Sequence, residues 1–447
     1  MEKLLSNIQE DNKYATKLYD LSYEAANMCI QCGYCLPVCP TFQTMGKESH
    51  SPRGRINLVK VAAEGKIDVR TDLATSIDLC LGCRACEVVC PVNVPYGKIY
   101  ESAKEVMAIQ QLDERIASGK KGYPIQNVVL RHLFPHKKRL RLVGNAIWLY
   151  QKTQINKLVQ KMEVMNKLSE PMGQFEKKLP KIESPLKRYK FGKIYPAKGT
   201  KKMKVAFFPG CIMDAVMSRT NRLTIELLQY VGCEVVIPKQ QNCCGALHAH
   251  QGMMNEAREL ARANIESFEA TGAVYFINNA GGCGAMLREY NELYKDDAEM
   301  LKRASTFVMR SRDISEVLVE LGPLPFKKEV NKMVTYQDSC HLRNVQGVRS
   351  EPRELLRSIP GINFVEMQGG GDCCGSGGIY NLLHFDESME ILDHKMKNVT
   401  ETKAKVIVTS NPGCLLQMKM GVERSHLAKD TDVLHLVEIL AEACAIQ

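Results

Sequence analysis

Two short runs of cysteine near the amino end have the same spacing, and each run ends in Cys-Pro. Their members are Cys29, Cys32, Cys35 and Cys39 in the first run and Cys80, Cys83, Cys86 and Cys90 in the second. Both runs have the pattern C-x2-C-x2-C-x3-C-P, the bacterial spacing for a pair of [4Fe-4S] clusters. Each iron of such a cluster needs a thiolate, so the runs predict two clusters and one-electron chemistry.

The fourth cysteine of each run is predicted to serve the other run's cluster, as in other two-cluster proteins. The predicted ligand sets are Cys29, Cys32, Cys35 and Cys90 for one cluster and Cys80, Cys83, Cys86 and Cys39 for the other. This crossed ligation ties the runs together and places the clusters close enough for electron transfer. Zinc held by C-x2-C pairs is the alternative, but zinc sites rarely use four cysteines per run or a terminal Cys-Pro.

A second group of cysteines lies in residues 204–447 and occurs twice. The first copy has Cys211, Cys243, Cys244 and Cys283, and the second has Cys340, Cys373, Cys374 and Cys414. The displacement between matching positions stays between 129 and 131 residues. Such a constant displacement indicates an internal duplication. Each copy is therefore a candidate metal site with four thiols.

The elements around these cysteines predict how the thiols meet. The pattern of each copy predicts strand, helix, strand, Cys-Cys-Gly, helix, strand, Cys, and this alternation predicts a parallel sheet covered by helices. The carboxyl ends of parallel strands share one edge, where open α/β folds bind their ligands. Because each cysteine group follows the end of a strand, the thiols of one copy should converge at that edge.

The rest of the chain is predicted to be mainly helical. Ser51 and Pro52 have the pattern of a helix start between the two cysteine runs. The insert of roughly forty residues between the runs favours an α-helical ferredoxin over a compact one. The expected fold class is multidomain α plus α/β: an N-terminal α-helical ferredoxin module, a basic helical connector and two duplicated α/β domains with parallel sheets. The expected domain ranges are 1–110, 111–203, 204–330 and 331–447.

The connector, residues 111–203, is strongly basic. Residues 115–204 contain 23 lysines and arginines against four glutamates, although the net charge of the chain is only +10. The connector is predicted to be a helix broken near Pro135, followed by an irregular linker. One interpretation is a helical pair with a solvated lysine face, and the other is a docking surface for an acidic partner or for anionic lipid. Nucleic acid is disfavoured, because the basic residues are not interleaved with stacking aromatics.

The composition and the amino-terminal sequence indicate where in the cell the protein is expected. The 447 residues are 45% hydrophobic and 25% charged, as in ordinary globular proteins. No stretch approaches eighteen apolar residues, so no transmembrane helix is expected. The amino end has no apolar signal core and no twin arginine. Together with ligand-spaced thiols, this predicts a cytoplasmic protein, either free or peripheral at the inner face of the cell membrane.

Several motifs point to a known family. They are SPRGRI after the first run, LCLGCRACEVVCPVNVPYGKIYE around the second run, and the two Cys-Cys-Gly blocks. The repeats resemble the CCG cysteine-rich domain of heterodisulfide reductase, of anaerobic glycerol-3-phosphate dehydrogenase and of lactate-utilisation proteins. Two such domains behind a two-cluster module resemble the iron–sulfur subunit of glycolate oxidase. The similarity covers nearly the whole chain.

The chain departs from the full CCG motif at two positions. That motif ends in C-x2-C, but Ala280 and Asn411 stand at the first of these positions in the two copies. Each copy therefore has four thiols, whereas the noncubane cluster of heterodisulfide reductases uses five. The alternatives left open are a conventional [4Fe-4S] cluster, zinc, or free thiols.

The resemblance implies an electron-transfer subunit with no catalytic residue of its own. The sequence has no flavin fingerprint and no serine or histidine catalytic constellation. FAD on a separate flavoprotein subunit is expected to oxidise glycolate, and this chain to pass the electrons toward a quinone or another acceptor. The open alternatives are the matching subunit of a D-lactate or anaerobic glycerol-3-phosphate dehydrogenase, and a CCG-type disulfide or quinone reductase.

Three histidines near the repeat cysteines are His248, His250 and His341, and we expect them to be hydrogen-bonded loop residues. Two cysteines have no ligand partner at a useful spacing. Of these, Cys233 is expected in the core and Cys444 as a tail thiol. Arginines 53 and 55 either place positive charge near a cluster or lie exposed on a helix.

Overall fold

The computed structural model describes residues 13–119 and 125–446. The chain divides into two compact units, and each unit is built from separate stretches of sequence. The first unit contains Met1–Leu130, Ala246–Ala257 and Gly375–Ile391, and the second contains Arg131–Gly245, Arg258–Cys374 and Leu392–Gln447. The four sequence ranges given above as domains stay a prediction.

The amino-terminal region is helical, as predicted. Its α-helices are α1 (Lys13–Asn27), α2 (Pro40–Met45), α3 (Pro52–Ala63), α4 (Ala74–Asp78), α5 (Ala85–Val88), α6 (Tyr96–Ala117) and α7 (Ile125–His132). A 3-10 turn (Glu48–His50) and a π-helical turn (Val69–Leu73) lie among them. Helices α1, α3 and α6 pack around one buried apolar core. This core holds the two cysteine runs in place.

Helix α3 begins where the sequence predicts it to begin. The Ser51 hydroxyl accepts a hydrogen bond from Gly54 N at 3.0 Å, and Pro52 occupies the first turn. Ile56 and Val59 on this helix are buried in the core. A β-carbon at position 54 would lie only 1.9 Å from the carbonyl oxygen of Glu48, so this close approach of two backbones requires glycine.

The connector forms further helices: α8 (Lys137–Lys152), α9 (Ile155–Lys161), α10 (Val164–Leu168) and α11 (Glu170–Lys178). The gap between α7 and α8 contains Pro135, which confirms the predicted break. The stretch from Pro171 onward was predicted as irregular linker, and this was wrong in part, because it contains most of helix α11 and a 3-10 turn (Pro185–Lys187). It also contains one strand, β1 (Ile194–Tyr195), which pairs antiparallel at the edge of a sheet. Its pairing partner lies about forty residues further along the chain, so local sequence did not reveal it.

Both repeats form the predicted sheets. The strands are β2 (Met203–Phe207), β3 (Cys233–Val236), β4 (Tyr275–Asn278) and β5 (Ser311–Asp313), then β6 (Met333–Tyr336), β7 (Asn363–Phe364), β8 (Val406–Thr409) and β9 (Asp432–His435). Their orders are β1-β3-β2-β4-β5 and β7-β6-β8-β9. Every pairing apart from that of β1 is parallel. The predicted α/β class is confirmed.

Helices alternate with the strands along the two repeats. They are α12 (Ile212–Val216), α13 (Ser218–Tyr230), α14 (Ala246–Ala249), α15 (Met254–Glu269), α16 (Gly281–Leu287), α17 (Ala298–Arg310), α18 (Ile314–Glu320), α19 (Cys340–Asn344), α20 (Glu351–Ser358), α21 (Tyr380–Leu383), α22 (Phe385–Thr402), α23 (Pro412–Arg424) and α24 (Leu436–Ala443). One hydrophobic core contains residues of both sheets. Cys233 lies in this core as expected, whereas Cys444 is also buried there, so its interpretation as a tail thiol was wrong.

Candidate metal centres

A cavity beside the first cysteine run is lined by all four thiols of one crossed set. They are Cys29, Cys32, Cys35 and Cys90. Pro52, at the start of α3, and Tyr96, at the start of α6, also line it. The packing of α3 and α6 therefore brings the last cysteine of the second run to the first run.

A second cavity is lined by the other crossed set of four thiols. They are Cys39, Cys80, Cys83 and Cys86. Pro52 and Tyr96 line this cavity as well, and Cys86 lines both cavities. The two cavities therefore adjoin, with the same three residues between them.

The loops of the two runs have the same backbone conformation. Gln31 and Gly82 occupy the same position of the motif and have φ angles of 56° and 61°. Gly33 and Arg84 occupy another matching position and have φ angles of 87° and 57°. This left-handed conformation lets backbone N–H groups point toward the sulfurs, as in the hydrogen bond from Gly82 N to Cys80 Sγ at 3.4 Å. The sequence did not reveal that Gln31 and Arg84 share the conformation of the glycines.

Arg55 is buried in the wall of the second cavity. Its Nε donates to the carbonyl oxygen of Ser76 at 2.6 Å, its Nη2 donates to the Thr41 hydroxyl at 3.1 Å, and its Nη1 lies 4.0 Å from Cys39 Sγ. Burial lowers the pKa of this guanidinium, but the nearby Cys80, Tyr96 and Cys39 together outweigh burial, so the pKa is raised above its usual value. Arg55 therefore carries a fixed positive charge into a sulfur-lined site.

Arg53 has a different place from Arg55. Its side chain lines the first cavity, stays partly exposed, and forms an ion pair with Glu48 at 2.7 Å. Its Nη1 also donates to the carbonyl oxygen of Gln31 in the first cysteine loop at 3.1 Å. The two arginines therefore have different roles. Arg55 is a buried positive charge, whereas Arg53 lies at the surface and binds the backbone of the first cysteine loop.

Burial raises the pKa of three of the cavity thiols. Burial is the main cause that raises the pKa of Cys39 above that of an ordinary thiol, and the positive charge of Arg55 opposes it. Burial also raises the pKa of Cys86 and of Cys35. Such thiols lose their protons readily only when a metal takes the proton's place, so metal binding there releases protons.

In the first repeat, the four cysteines meet at the carboxyl edge of the sheet. Cys211 follows β2 and its Sγ accepts a hydrogen bond from Cys243 Sγ at 3.5 Å. Hydrogen bonds to Cys243 and Cys283 raise the pKa of Cys244, and burial raises it further. Three of the four side chains are buried, and Cys283 is partly exposed. The sequence predicted this convergence, because each cysteine group follows the carboxyl end of a strand.

The second repeat has a similar arrangement. A hydrogen bond to Cys374 raises the pKa of Cys414, and burial and the nearby Cys340 raise it further. Cys373 and Cys374 are buried at the end of the loop that follows β7. The buried Lys395 of α22 donates to the carbonyl oxygens of Gly369 and Gly370 in this loop at 2.5 and 3.2 Å. These two loop glycines thus accept hydrogen bonds from a buried lysine.

The positions where the full motif has a fifth cysteine connect the two repeats. Asn411 Nδ2 donates to Cys414 Sγ at 3.6 Å, and Asn411 Oδ1 accepts from Gly282 N of the other repeat at 3.1 Å. Next to Ala280, Gly281 N donates to the Ser410 carbonyl at 2.9 Å. A β-carbon on Gly281 would lie 2.3 Å from Ser339 Oγ, so the contact leaves no room for a side chain. The substituted positions therefore join the two thiol sites.

The histidines singled out from sequence have separate environments. His248 is buried, and its Nε2 lies 3.0 Å from the carbonyl oxygen of Leu130, so it is hydrogen-bonded as expected, but it lies in helix α14 and not in a loop. His250 Nδ1 lies 3.6 Å from Glu101 Oε1. His341 follows Cys340 in α19, and a β-carbon on Gly282 would lie 3.8 Å from His341 Nδ1. His341 is thus next to the junction of the two repeats.

Three families match successive parts of the chain. The family described as "4Fe-4S dicluster domain" matches residues 25–94, "Glycolate oxidase iron-sulfur subunit, linker region" matches residues 124–179, and "Cysteine-rich domain" matches residues 205–288 and 334–419. A protein of Bacillus subtilis (strain 168), "Probable glycolate oxidase iron-sulfur subunit", is 46% identical over 421 residues, which is 93% of each chain. The chain belongs to the family of glycolate oxidase iron-sulfur subunits.

Two further relatives are less similar to this chain or match a smaller part of it. The "Glycolate oxidase iron-sulfur subunit" of Escherichia coli (strain K12) is 28% identical over 434 residues, again 93% of each chain. A "Lactate utilization protein A" of Oceanobacillus iheyensis is 36% identical over 239 residues, which is 53% of this chain and 96% of the relative. The resemblance seen in the sequence is confirmed for the glycolate oxidase family, while the lactate proteins match only about half of the chain.

The residues of this glycolate oxidase iron-sulfur subunit homologue fit iron–sulfur clusters by their chemistry. Each N-terminal cavity is lined by at least four thiols, and Tyr96 OH lies 3.3 Å from Cys80 Sγ as an additional partner for sulfur. Thiols spread around a cavity suit a cubane, which is larger than one ion.

Proposed function

We propose that this chain carries electrons in a complex that oxidises glycolate to glyoxylate. A separate flavoprotein subunit takes the hydride on FAD, and this chain passes the electrons singly toward a quinone or another acceptor. The observation that carries the proposal is the pair of adjoining cavities: the four thiols of one crossed set and Cys86 line the first, and the four thiols of the other set line the second. Clusters bound there would supply two one-electron carriers at close range.

We propose the crossed ligand sets for these clusters. One set is Cys29, Cys32, Cys35 and Cys90, and the other is Cys80, Cys83, Cys86 and Cys39. The lining of the two cavities supports this assignment. Tyr96, Thr41 and Arg55 then orient and stabilise the second set, since their polar atoms lie 3.3 to 4.0 Å from its sulfurs.

The four thiols of each repeat are proposed to hold a further iron–sulfur cluster, with zinc as the second candidate. The convergence of Cys211, Cys243 and Cys244 supports a metal site in the first repeat. Asn411, which occupies the place of a fifth cysteine, argues against the five-thiolate noncubane cluster and against the CCG-type disulfide or quinone reductase. Iron analysis after anaerobic purification separates these cases, because two clusters alone bind about eight irons per chain.

The decisive experiment uses the complex purified without oxygen from its native cells. Glycolate should reduce the flavin and then the clusters, which electron paramagnetic resonance detects as new signals. Recovery of the chain without any FAD-containing partner, and without signals on adding glycolate, would contradict the proposal. A response to D-lactate but not to glycolate would support the rival substrate suggested by the "Lactate utilization protein A" relatives.

The connector is proposed to contact a membrane surface or a partner subunit. Within the described residues, no helix is long and apolar enough to cross a bilayer. The connector nevertheless exposes large apolar side chains among its lysines: Leu142, Leu149, Leu158 and Met162 are each more than half exposed. Basic and apolar groups together favour an anionic lipid surface. We therefore propose a cytoplasmic protein attached peripherally to the inner face of the membrane.

A further inference from the structure

A cavity of about 610 Å³ lies in the first unit, next to the second cysteine run. Its walls come from residues 70–78, from Cys80 and Leu81 of the run, from the middle of α6, and from the two segments that follow the Cys-Cys-Gly blocks. All of these residues belong to the first unit. A cavity of this size holds a ligand as large as a substituted aromatic ring system.

The walls combine hydrogen-bond donors with apolar surface. Tyr100, Lys104, His250 and His384 supply hydroxyl, ammonium and imidazole groups. The apolar surface comes from leucine, isoleucine and methionine side chains such as Leu383, which is also partly exposed to solvent. This composition suits a flat apolar ring that carries polar oxygens on its edge.

Close contacts hold these walls in place. Lys104 Nζ lies 2.5 Å from Asp78 Oδ1, so α6 is tied to the end of α4. A β-carbon on Gly252 would lie 2.2 Å from the carbonyl oxygen of Lys104, which shows how closely the segment after the first Cys-Cys-Gly block packs on α6. Tyr380 and His384 have ring centroids 4.9 Å apart on the remaining wall.

The position of Cys80 limits the ligand of this cavity to molecules that can exchange single electrons. Its side chain lines both this cavity and the cavity of the second thiol set. A ligand here would therefore exchange single electrons with a cluster that Cys80 holds. A hydroxy acid is excluded as the reactant, because its oxidation releases a hydride, which a one-electron carrier does not accept. A quinone accepts electrons one at a time and carries two carbonyl oxygens for the donors.

We propose that this cavity binds a quinone and is the exit point for electrons. The inference rests on the proposed function, in which glycolate supplies two electrons through the flavoprotein. The quinone gains these two electrons in succession by way of Cys80, and each of its oxygens gains one proton from water at the opening. Glycolate and quinone thus become glyoxylate and quinol. Tyr100 and Lys104 bind the quinone oxygens, and His250 and His384 line the path of the protons.

Two adjacent leucines provide a matched pair of variants. Leu383 lines the cavity and is 44% exposed, whereas Leu382 is 46% exposed and does not line it. Leu383→Trp should place a larger ring against the cavity and reduce its free volume, and Leu382→Trp should leave that volume unchanged. The full chain is purified anaerobically with its clusters. Binding of the fluorescent quinone analogue 2-heptyl-4-hydroxyquinoline N-oxide is measured by fluorescence quenching, and reoxidation of dithionite-reduced protein by menadione is followed by its visible absorption.

The expected result is saturable binding that L383W weakens about tenfold and L382W changes less than about twofold, at equal iron content. Menadione reoxidation should slow in parallel. Equal binding in both variants would overturn the proposal, as would loss of the flavoprotein from L383W with unchanged analogue binding. These measurements need no glycolate. In one outcome, glycolate fails to reduce the native complex while L383W still binds the quinone analogue more weakly than wild type. That result would contradict the proposed substrate and support the quinone site.

Discussion

The Nη1 atom of Arg55 lies 4.0 Å from the sulfur of Cys39, although these residues are sixteen positions apart. The arginine is only 1% exposed, and its other partners are a hydroxyl and a backbone carbonyl. A buried cation is costly unless a negative charge lies close to it. A thiolate-bound cluster would supply that charge, so Arg55 is placed to favour the reduced, more negative form.

The first prediction follows from this contact. Arg55→Gln should make the reduction potential of the second cluster more negative, by on the order of 60 mV, which is a tenfold change for one electron. Redox titration monitored by electron paramagnetic resonance measures it. Arg53→Gln is the control, because Arg53 is paired with Glu48 at the surface and should shift the potential less. Arg55→Lys, which keeps the charge, should restore most of the potential. Equal potentials in wild type and R55Q at full iron content would contradict this role.

The second prediction tests the crossed ligands by iron counting. Cys29 and Cys90 line one cavity, whereas Cys80 lines the other. The double variant Cys29→Ala with Cys90→Ala should therefore lose one cluster, about four irons. The double variant Cys80→Ala with Cys90→Ala should lose both clusters, about eight irons. The opposite ranking would mean that each run binds its own cluster.

The third prediction concerns pH and stability. Burial raises the pKa of Asp313 from 3.8 to about 6, although the backbone and hydroxyl of Ser315 donate to its carboxylate. The folded chain thus holds this proton more tightly than the unfolded chain. The resulting stabilisation is complete below pH 4 and is lost as pH rises through 6, up to about 3 kcal/mol in all.

Asp313→Asn keeps the helix cap and removes the titration. The free energy of unfolding of D313N, relative to wild type, should therefore rise between pH 4 and pH 8. Urea unfolding under anaerobic conditions measures this difference. Asp297→Asn, at the exposed cap of α17, is the control for general effects of losing a carboxylate. A difference between D313N and wild type that stays constant with pH would show that Asp313 does not titrate in this window.

The fourth prediction tests the connector as a membrane-binding surface. Leu142→Glu should reduce binding to vesicles that contain anionic lipid about tenfold, because it removes an apolar group that is 69% exposed and adds a negative charge. Met309→Glu makes the same change at a residue 65% exposed outside the connector and should leave binding unchanged. Vesicle flotation at low and high salt measures both variants. Equal binding of the two variants, or no binding by wild type, would assign the connector to a solvated or protein-facing role.

Much of the architecture could be predicted from local sequence. The repeat displacement, the Ser51-Pro52 helix start and the Pro135 break each depend on neighbouring residues or on a constant spacing, so the sequence predicted them and the fold confirms them. The family resemblance could be recognised for the same reason, because it depends on short motifs.

Other features required the tertiary structure. The burial of Arg55 and Cys444, the pairing of β1 and the bridge from Asn411 to Gly282 all join residues far apart in sequence. The cavity lined by Cys80 and Leu383 is a stronger example, since its walls are separated by about three hundred residues. By itself, the sequence determined which thiols form groups, because spacing and periodicity are local. Only the fold decided which charges, histidines and apolar side chains surround those thiols, because these contacts arise from packing between distant segments.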